Sequence, residues 1–281
     1  MKTLDLGRIE ANALLVFGGP YGNLEATEAL LAHAQDLGIP AEHMICTGDL
    51  AAYCADPVAT SHTLRRAGIP VIQGNCEQSL AAGADDCGCG FDSGSQCAAL
   101  SRSWFDFCQR QIDSDTLSWF NELPQQLSFQ FGGQRFLVVH GSPNTMSRFV
   151  FGSSSADYFK AAIESAKVDC VIGGHSGLPF TRVFDTCCWH NSGVLGMPAN
   201  DGTARVWYSL IKTGDSGITF EHRALHYAAE VAQQKMHAAG LSAEYAESLT
   251  SGLWPSLDVL PAYEASQAGI RLREHPVQWP L

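Results

Sequence analysis

An apolar run, Leu14-Leu15-Val16-Phe17, ends in a glycine-rich turn, Gly18-Gly19-Pro20-Tyr21-Gly22, and the turn opens into a helical pattern at Asn23. The order strand, tight loop, helix constrains everything after it. The strand must find a sheet, and the helix must bury one face on that sheet. A helix N-terminus also offers unpaired N–H groups and a partial positive charge, which suit an anion such as phosphate. No Gly-Lys-Ser/Thr follows, so the loop is not a Walker A site. By itself the turn reads first as a structural connection. As an anion site, its Gly18 and Gly19 would present backbone N–H groups.

The same rhythm continues. Leu24 to Leu37 has helical periodicity and stops at Gly38. Met44-Ile45-Cys46 reads as a buried strand running into Thr47-Gly48-Asp49-Leu50, Pro57 to Ala67 as a helix, and Pro70-Val71-Ile72 as a third strand ending in Gly74-Asn75-Cys76-Glu77. This β-α-β-α-β pattern predicts a parallel sheet with helices on its faces, and ligands then sit beyond the carboxyl ends of the strands. Gln78 to Leu100, rich in Gly, Ser, Asp and Cys, reads as a lid, binding loop or mobile insert. Helices are expected near Trp104–Gln111 and Ser114–Asn121. Two strands, 126–131 and 134–139, flank Gly132-Gly133 as a hairpin, and the second ends in His140-Gly141. A helix near Ala156–Ala166 leads to a strand at 169–172 that ends in Gly173-Gly174-His175-Ser176-Gly177. More strands are expected near 181–184, 187–190, 204–211 and 218–222. The reading divides the chain into a main domain at 1–224, with a Cys/Gly-rich insert and helices at 78–122, and a C-terminal helical appendage at 225–281.

With 17 Lys+Arg against 29 Asp+Glu, the net charge is −12. An acidic chain repels a polyanion, so a nucleic-acid polymer is an unsuitable partner, whereas a small phosphorylated or nucleotide substrate suits a site where a metal neutralises its charge. The first thirteen residues carry Asp5 and Glu10 and no long apolar core, so no export signal is read, and no apolar run is long enough to span a membrane. The ten cysteines are accordingly expected to be reduced in a cytoplasmic protein. Cys87, Cys89 and Cys97 have a spacing that matches no zinc ribbon, and incidental or redox-active thiols in a lid are the preferred reading. Cys187 and Cys188, adjacent on a strand, should point to opposite faces.

Four of the strand-ending motifs carry a side chain able to bind a metal: Asp49, Asn75, His140 and His175. A carboxylate, an amide oxygen and two imidazoles suit Mn, Fe or Zn. Singly, each reads as a turn, cap or satisfied polar residue. The order Gly-Asp, Gly-Asn-x-Glu, His-Gly and Gly-Gly-His, each after a strand, is far more specific. Over roughly residues 12–212 it resembles the calcineurin-like metallophosphoesterases, most closely their small bacterial and archaeal phosphodiesterase branch. Tyr21-Gly22-Asn23-Leu24-Glu25-Ala26, Tyr53 with Asp56-Pro57, and Asn191-Ser192-Gly193-Val194-x-Gly196-x-Pro198 fit that resemblance.

The resemblance implies an α/β fold, a β-sandwich flanked by helices, with two metals at one sheet edge. It also implies hydrolysis of a phosphate mono- or diester. The family's Asp-x-His after the first strand falls here on Gly19 and Tyr21, and the second His of its Gly-His-x-His on Gly177. The first metal therefore keeps only Asp49, while the second keeps Asp49, Asn75, His140 and His175. One divalent metal per chain is expected. The resemblance places Cys76 where a leaving-group acid can sit, and Asp49, Asn75 and His140 in the catalytic set. It gives Glu77 a supporting hydrogen-bond role. Gly18, Gly19 and Arg148 are candidate phosphate contacts. The alternative is a non-catalytic relative that binds a phosphate or nucleotide. The oligomeric state is left open.

Overall fold

The computed structural model describes residues 1–92 and 94–281. Its strands are β1 (Thr3–Arg8), β2 (Ala13–Phe17), β3 (Met44–Cys46), β4 (Gln126–Phe131), β5 (Gln134–Val139), β6 (Cys170–Gly173), β7 (Pro179–Phe184), β8 (Cys187–Ser192), β9 (Val206–Gly214), β10 (Gly217–Leu225) and β11 (Pro276–Trp279). Its helices are α1 (Leu24–Asp36), α2 (Pro57–Ala67), α3 (Asn75–Ala82), α4 (Gln96–Gln111), α5 (Ser114–Glu122), α6 (Ala156–Ala166), α7 (Ala229–Ala238), α8 (Ala243–Ser251) and α9 (Ala262–Ser266). One sheet runs β1-β4-β5-β6-β8-β7, the other β11-β10-β9-β2-β3. The expected α/β class and helix-flanked sandwich are what the chain forms.

Side-chain alternation along the strands builds the layers. Leu14 and Val16 of β2 meet Phe136 and Val138 of β5 in the core between the sheets. Leu15 and Phe17 point the other way, into a core shared with Leu30 of α1 and Leu64 of α2. On the far sheet Leu137, Val139 and Val171 turn outward to Phe159 and Ile163 of α6. Cys188 joins the inter-sheet core while Cys187 packs on the opposite side, as adjacent strand residues must.

The β4–β5 hairpin turns on Gly132 and Gly133, both at positive φ, which is what a two-residue hairpin of this hand requires. The third expected strand is shorter than foreseen. Val71 makes only an isolated bridge to Cys46. Pro70 has no N–H to donate, and the Gln73 N–H leaves the sheet for the Pro124 carbonyl at 2.7 Å. The 78–100 segment also carries more helix than expected, because α3 runs to Ala82 and α4 begins at Gln96.

Two strands have no counterpart in the sequence reading. β1 is a largely exposed edge paired in parallel with β4, so burial left no alternation to read. β11 pairs antiparallel with β10 and drives the fully buried Trp279 into the inter-sheet core. Residues 225–281, read as a covering appendage, thus contribute a strand to the second sheet. They also contribute Met236, Tyr245 and Leu249 to the core against α1.

Asn23 caps α1. Its Oδ1 accepts from the Ala26 N–H at 3.1 Å while its Nδ2 donates to the Gly196 carbonyl at 3.1 Å. Asn23→Ala is expected to cost about 2 kcal/mol, a lost cap plus an orphaned carbonyl, measured by urea unfolding. A cost below a few tenths would remove the cap from the account.

Candidate metal centre

The strand ends bring Asp49, Asn75, His140 and His175 to one buried point. Asp49 follows β3 in a left-handed conformation, φ 57, after Gly48 at φ 91. Asn75 is the first residue of α3, His140 follows β5, and His175 follows β6 with φ 51. His140 Nε2 lies 3.2 Å from Asp49 Oδ2, 2.9 Å from Asn75 Oδ1 and 3.1 Å from His175 Nδ1.

The outer hydrogen bonds decide which atom of each side chain faces that point. His140 Nδ1–H donates to the Thr47 carbonyl at 2.7 Å, so Nε2 of the neutral ring keeps its lone pair; burial opposes the charged ring, but the Asp49 carboxylate beside it pushes this imidazole above its ordinary range. His175 Nε2–H donates to the Cys89 carbonyl at 3.2 Å, so Nδ1 keeps its own. Asn75 Nδ2 donates to the Cys87 carbonyl at 2.8 Å, which turns Oδ1 inward. Asp49 Oδ1 accepts from the Cys76 N–H at 3.2 Å, which leaves Oδ2 free. With His140 neutral, four acceptors converge with no donor among them, an arrangement that either a proton on His140 Nε2 or a bound cation relieves. Imidazoles fixed through their outer N–H are the usual second layer of a metal site. The donor set fits a divalent metal. Asp49, His140 and His175 are also the only group of three or more His, Cys, Asp or Glu with ligand atoms this close among the described residues.

Glu77 organises the cradle from behind. Its carboxylate accepts from the N–H groups of Gly74 (2.9 Å), Asp49 (2.8 Å), Leu50 (2.7 Å) and Ala51 (3.3 Å). This is the supporting role expected for it. Burial, then the Asp49 charge, pushes its carboxyl up to about 7. Burial also works against ionised Asp49, but the His140 imidazole beside it holds that carboxyl below the usual range. Burial, then His140, pushes His175 down to about 3, which keeps it a neutral lone-pair donor.

Several expected contacts lie elsewhere. Cys76 is buried in the core and does not line the cavity above the site; burial, then Asp49, pushes its thiol up, so its contribution is the N–H to Asp49. Arg148 is exposed, with its guanidinium 4.4 Å over the Tyr158 ring, outside the cavity. Gly18 bridges to Val194, and Gly18 and Gly19 accept from the Leu195 and Gly196 N–H groups at 2.8 and 2.7 Å, so this loop braces the 193–196 segment. Cys87 and Cys89 are joined in a disulfide, contrary to the expectation of free thiols, which takes both out of any thiolate cluster. Cys97, on α4, lines the same cavity as Cys89.

The positions where the resemblance expects the first-metal ligands, Gly19, Tyr21 and Gly177, are crowded by aromatic rings. Tyr21, at φ 54, folds its buried ring back over Gly19, so that a Cβ added at Gly19 would clash with the ring edge and lie 2.9 Å from its hydroxyl. A side chain at Gly177 would meet the Trp254 ring at 3.3 Å. The cavity beside Asp49 and His175 is walled by Tyr21, Tyr53, Phe149, Tyr245, Trp254 and Val259, among others. The last three come from the C-terminal segment. No spacing links a tryptophan near residue 254 to an aspartate at 49, so sequence reasoning had no signal for them.

The family model described as the calcineurin-like phosphoesterase superfamily domain matches residues 21–215. The chain belongs to that superfamily. Membership makes it a hydrolase acting on phosphate esters, of a family that uses divalent metals. The calcineurin-like fold is matched in solved structures. A metallophosphoesterase from Sphaerobacter thermophilus is 20% identical, with a TM-score of 0.68 over 87% of this chain and 100% of that one. A hypothetical protein from Pyrococcus horikoshii is 15% identical, with a TM-score of 0.72 over 86% and 99%. No curated protein matches. No helix among the described residues is long and apolar enough to cross a membrane.

Proposed function

We propose that this calcineurin-like phosphoesterase hydrolyses a small phosphate mono- or diester at a single divalent metal, Mn, Fe or Zn, held by Asp49, Asn75, His140 and His175. The inward convergence of four acceptors, each with its outer atom already hydrogen-bonded, supports this reading. Such an ion supplies Lewis-acid polarisation of a phosphoryl oxygen and acidifies bound water. Thr47 and Cys89 carbonyls hold the two imidazole tautomers, Glu77 holds the Asp49 loop rigid, and the aromatic walls exclude bulk water. What the arrangement lacks is a second ion, and loss of that charge should cost several kcal/mol of transition-state stabilisation, each ~1.4 kcal/mol being tenfold in rate.

A test measures metal per chain, and hydrolysis of bis(p-nitrophenyl) phosphate before and after chelation. About one ion per chain, slow chelator-sensitive turnover, and loss of both in His140→Ala and Asp49→Ala are expected. Two ions would mean that another group refills the first site, and turnover indifferent to both substitutions would remove the chemistry from this centre. The Tyr21 ring in the place of the lost ligands favours a second reading, a relative that binds a phosphate or nucleotide without cleaving it. Bound metal with no turnover under Mn²⁺, Zn²⁺ or Fe²⁺ would select it.

A further inference from the structure

We propose that the cavity over the metal centre selects monoanionic phosphodiesters bearing an uncharged aromatic ester group, and rejects phosphomonoesters and polyphosphates. The proposal rests on the phosphoesterase reading above.

The first argument is charge. Among the described residues no Lys or Arg lines the cavity, and Asp49 is its one acid. The nearest candidate cation in sequence, Arg148, is turned to Tyr158. With a divalent ion, Asp49 leaves one positive charge facing the cavity, the Glu77 carboxylate behind it being answered by four backbone N–H groups, and a phosphodiester carries one negative charge. A phosphomonoester carries nearly two at neutral pH and a polyphosphate more. Each excess charge would sit uncompensated among apolar walls, in a molecule of net charge −12.

The second argument is the wall. The Trp254 ring is held by its Nε1–H to the Pro198 carbonyl at 2.7 Å and by its backbone N–H to Asn200 Oδ1 at 2.8 Å. Phe149 lies against the His175 ligand, with ring centroids 4.2 Å apart. Tyr53 is packed edge-on between Tyr21 and Tyr245, at 4.8 Å from each. The cavity holds about 80 Å³. Roughly 15 Å³ suffices for one water, so the space suits one ring rather than an extended chain. Fixed aromatic faces beside the reacting phosphorus favour an aromatic arm.

The chemistry closes the cycle. Water adds its oxygen to phosphorus, the ester P–O bond breaks, and the alcohol departs with a proton. The remaining monoester ionises to a dianion, loses the charge match, and is released.

The test titrates the manganese-loaded protein calorimetrically with three probes: diphenyl phosphate, dimethyl phosphate and phenyl phosphate. Diphenyl phosphate is expected to bind about tenfold more tightly than either of the others. Trp254→Ala should weaken diphenyl phosphate about tenfold and leave dimethyl phosphate within about twofold. Val259→Lys, which adds a cation to the wall, should move the preference toward phenyl phosphate, and it serves if Trp254→Ala does not fold. The expected binding order without any turnover would support this selectivity while removing the hydrolase reading. Diester hydrolysis with no such binding order, tighter phenyl phosphate, or no binding of any probe would overturn the selectivity.

Discussion

Gly19→Asp is expected to destabilise the protein by about 3–5 kcal/mol, and Tyr21→His in the same chain to return about 1–3 kcal/mol of that loss. The single substitution meets two penalties. Gly19 has φ +31, in the left-handed region that side chains disfavour, and its new Cβ would clash with the edge of the Tyr21 ring. Tyr21 cannot easily move aside, because its backbone N–H is bound to the Asp49 carbonyl at 3.0 Å and its ring packs against Tyr53. Shortening the ring removes the steric part and leaves the backbone part. Urea unfolding of both single variants and the double variant gives the coupling directly. Strict additivity would mean that Tyr21 does not fill the space beside Gly19. The result bears on the proposed one-metal site, because a tyrosine that must coexist with glycine at 19 would close the expected first-metal position by packing. The Trp254 ring crowds Gly177 more mildly, at 3.3 Å from an added Cβ.

Stability should fall steeply with acid, by about 4 kcal/mol between pH 7 and pH 5, through two histidines remote from the metal centre. His190 and His222 are buried side by side between the sheets, with ring centroids 4.9 Å apart and both hydrogen-bonded to Thr181 Oγ1, at 2.9 and 2.8 Å. Burial, then His222, pushes His190 well below its ordinary range, and burial, then the neighbouring His275, pushes His222 down to about 3. Both are neutral when folded, whereas the unfolded chain protonates them at about pH 6.5. Below that pH the unfolded state binds two more protons than the folded one. Stability contributed by the neutral form is present above pH 6.5 and lost as pH falls toward 3, at up to ~1.4 kcal/mol per pH unit for each ring. Urea unfolding at several pH values, for the natural chain and for His190→Asn, isolates the effect from the carboxylates. The variant should lose about half of the pH 7 to 5 dependence. An unchanged slope would show that His190 is protonated in the folded state.

The ligand motifs were legible because strand and turn are local. An apolar run followed by Gly-Asp, Gly-Asn, His-Gly or Gly-Gly-His marks a strand end, and in a parallel arrangement strand ends share an edge. Asp49, Asn75, His140 and His175 became candidate ligands from that edge, and the order of their motifs with the resemblance it carries made them a set. Glu77 was legible as a supporter only through the resemblance, and the structure shows its carboxylate reaching back to its own helix N-terminus. Cys76, Arg148 and the Gly18-Gly19 loop were named from the same motifs, but which way each side chain or N–H turns depends on packing that motifs do not encode.

Sequence by itself thus determined the fold class, the four candidate ligands that converge, and the lack of a ligand at 19 and 177, since a glycine offers no side chain wherever it lies, while position 21 carries a tyrosine. Tertiary structure alone decided what took their place. The Tyr21 ring turned into the gap, Trp254 arrived from a segment more than two hundred residues from Asp49, and a carbonyl of the Cys87–Cys89 loop oriented His175. The physical reason is range. Ligand motifs are set by hydrogen bonds and dihedrals over a few residues, whereas the walls of a cavity are set by which distant apolar surfaces meet when the whole core closes.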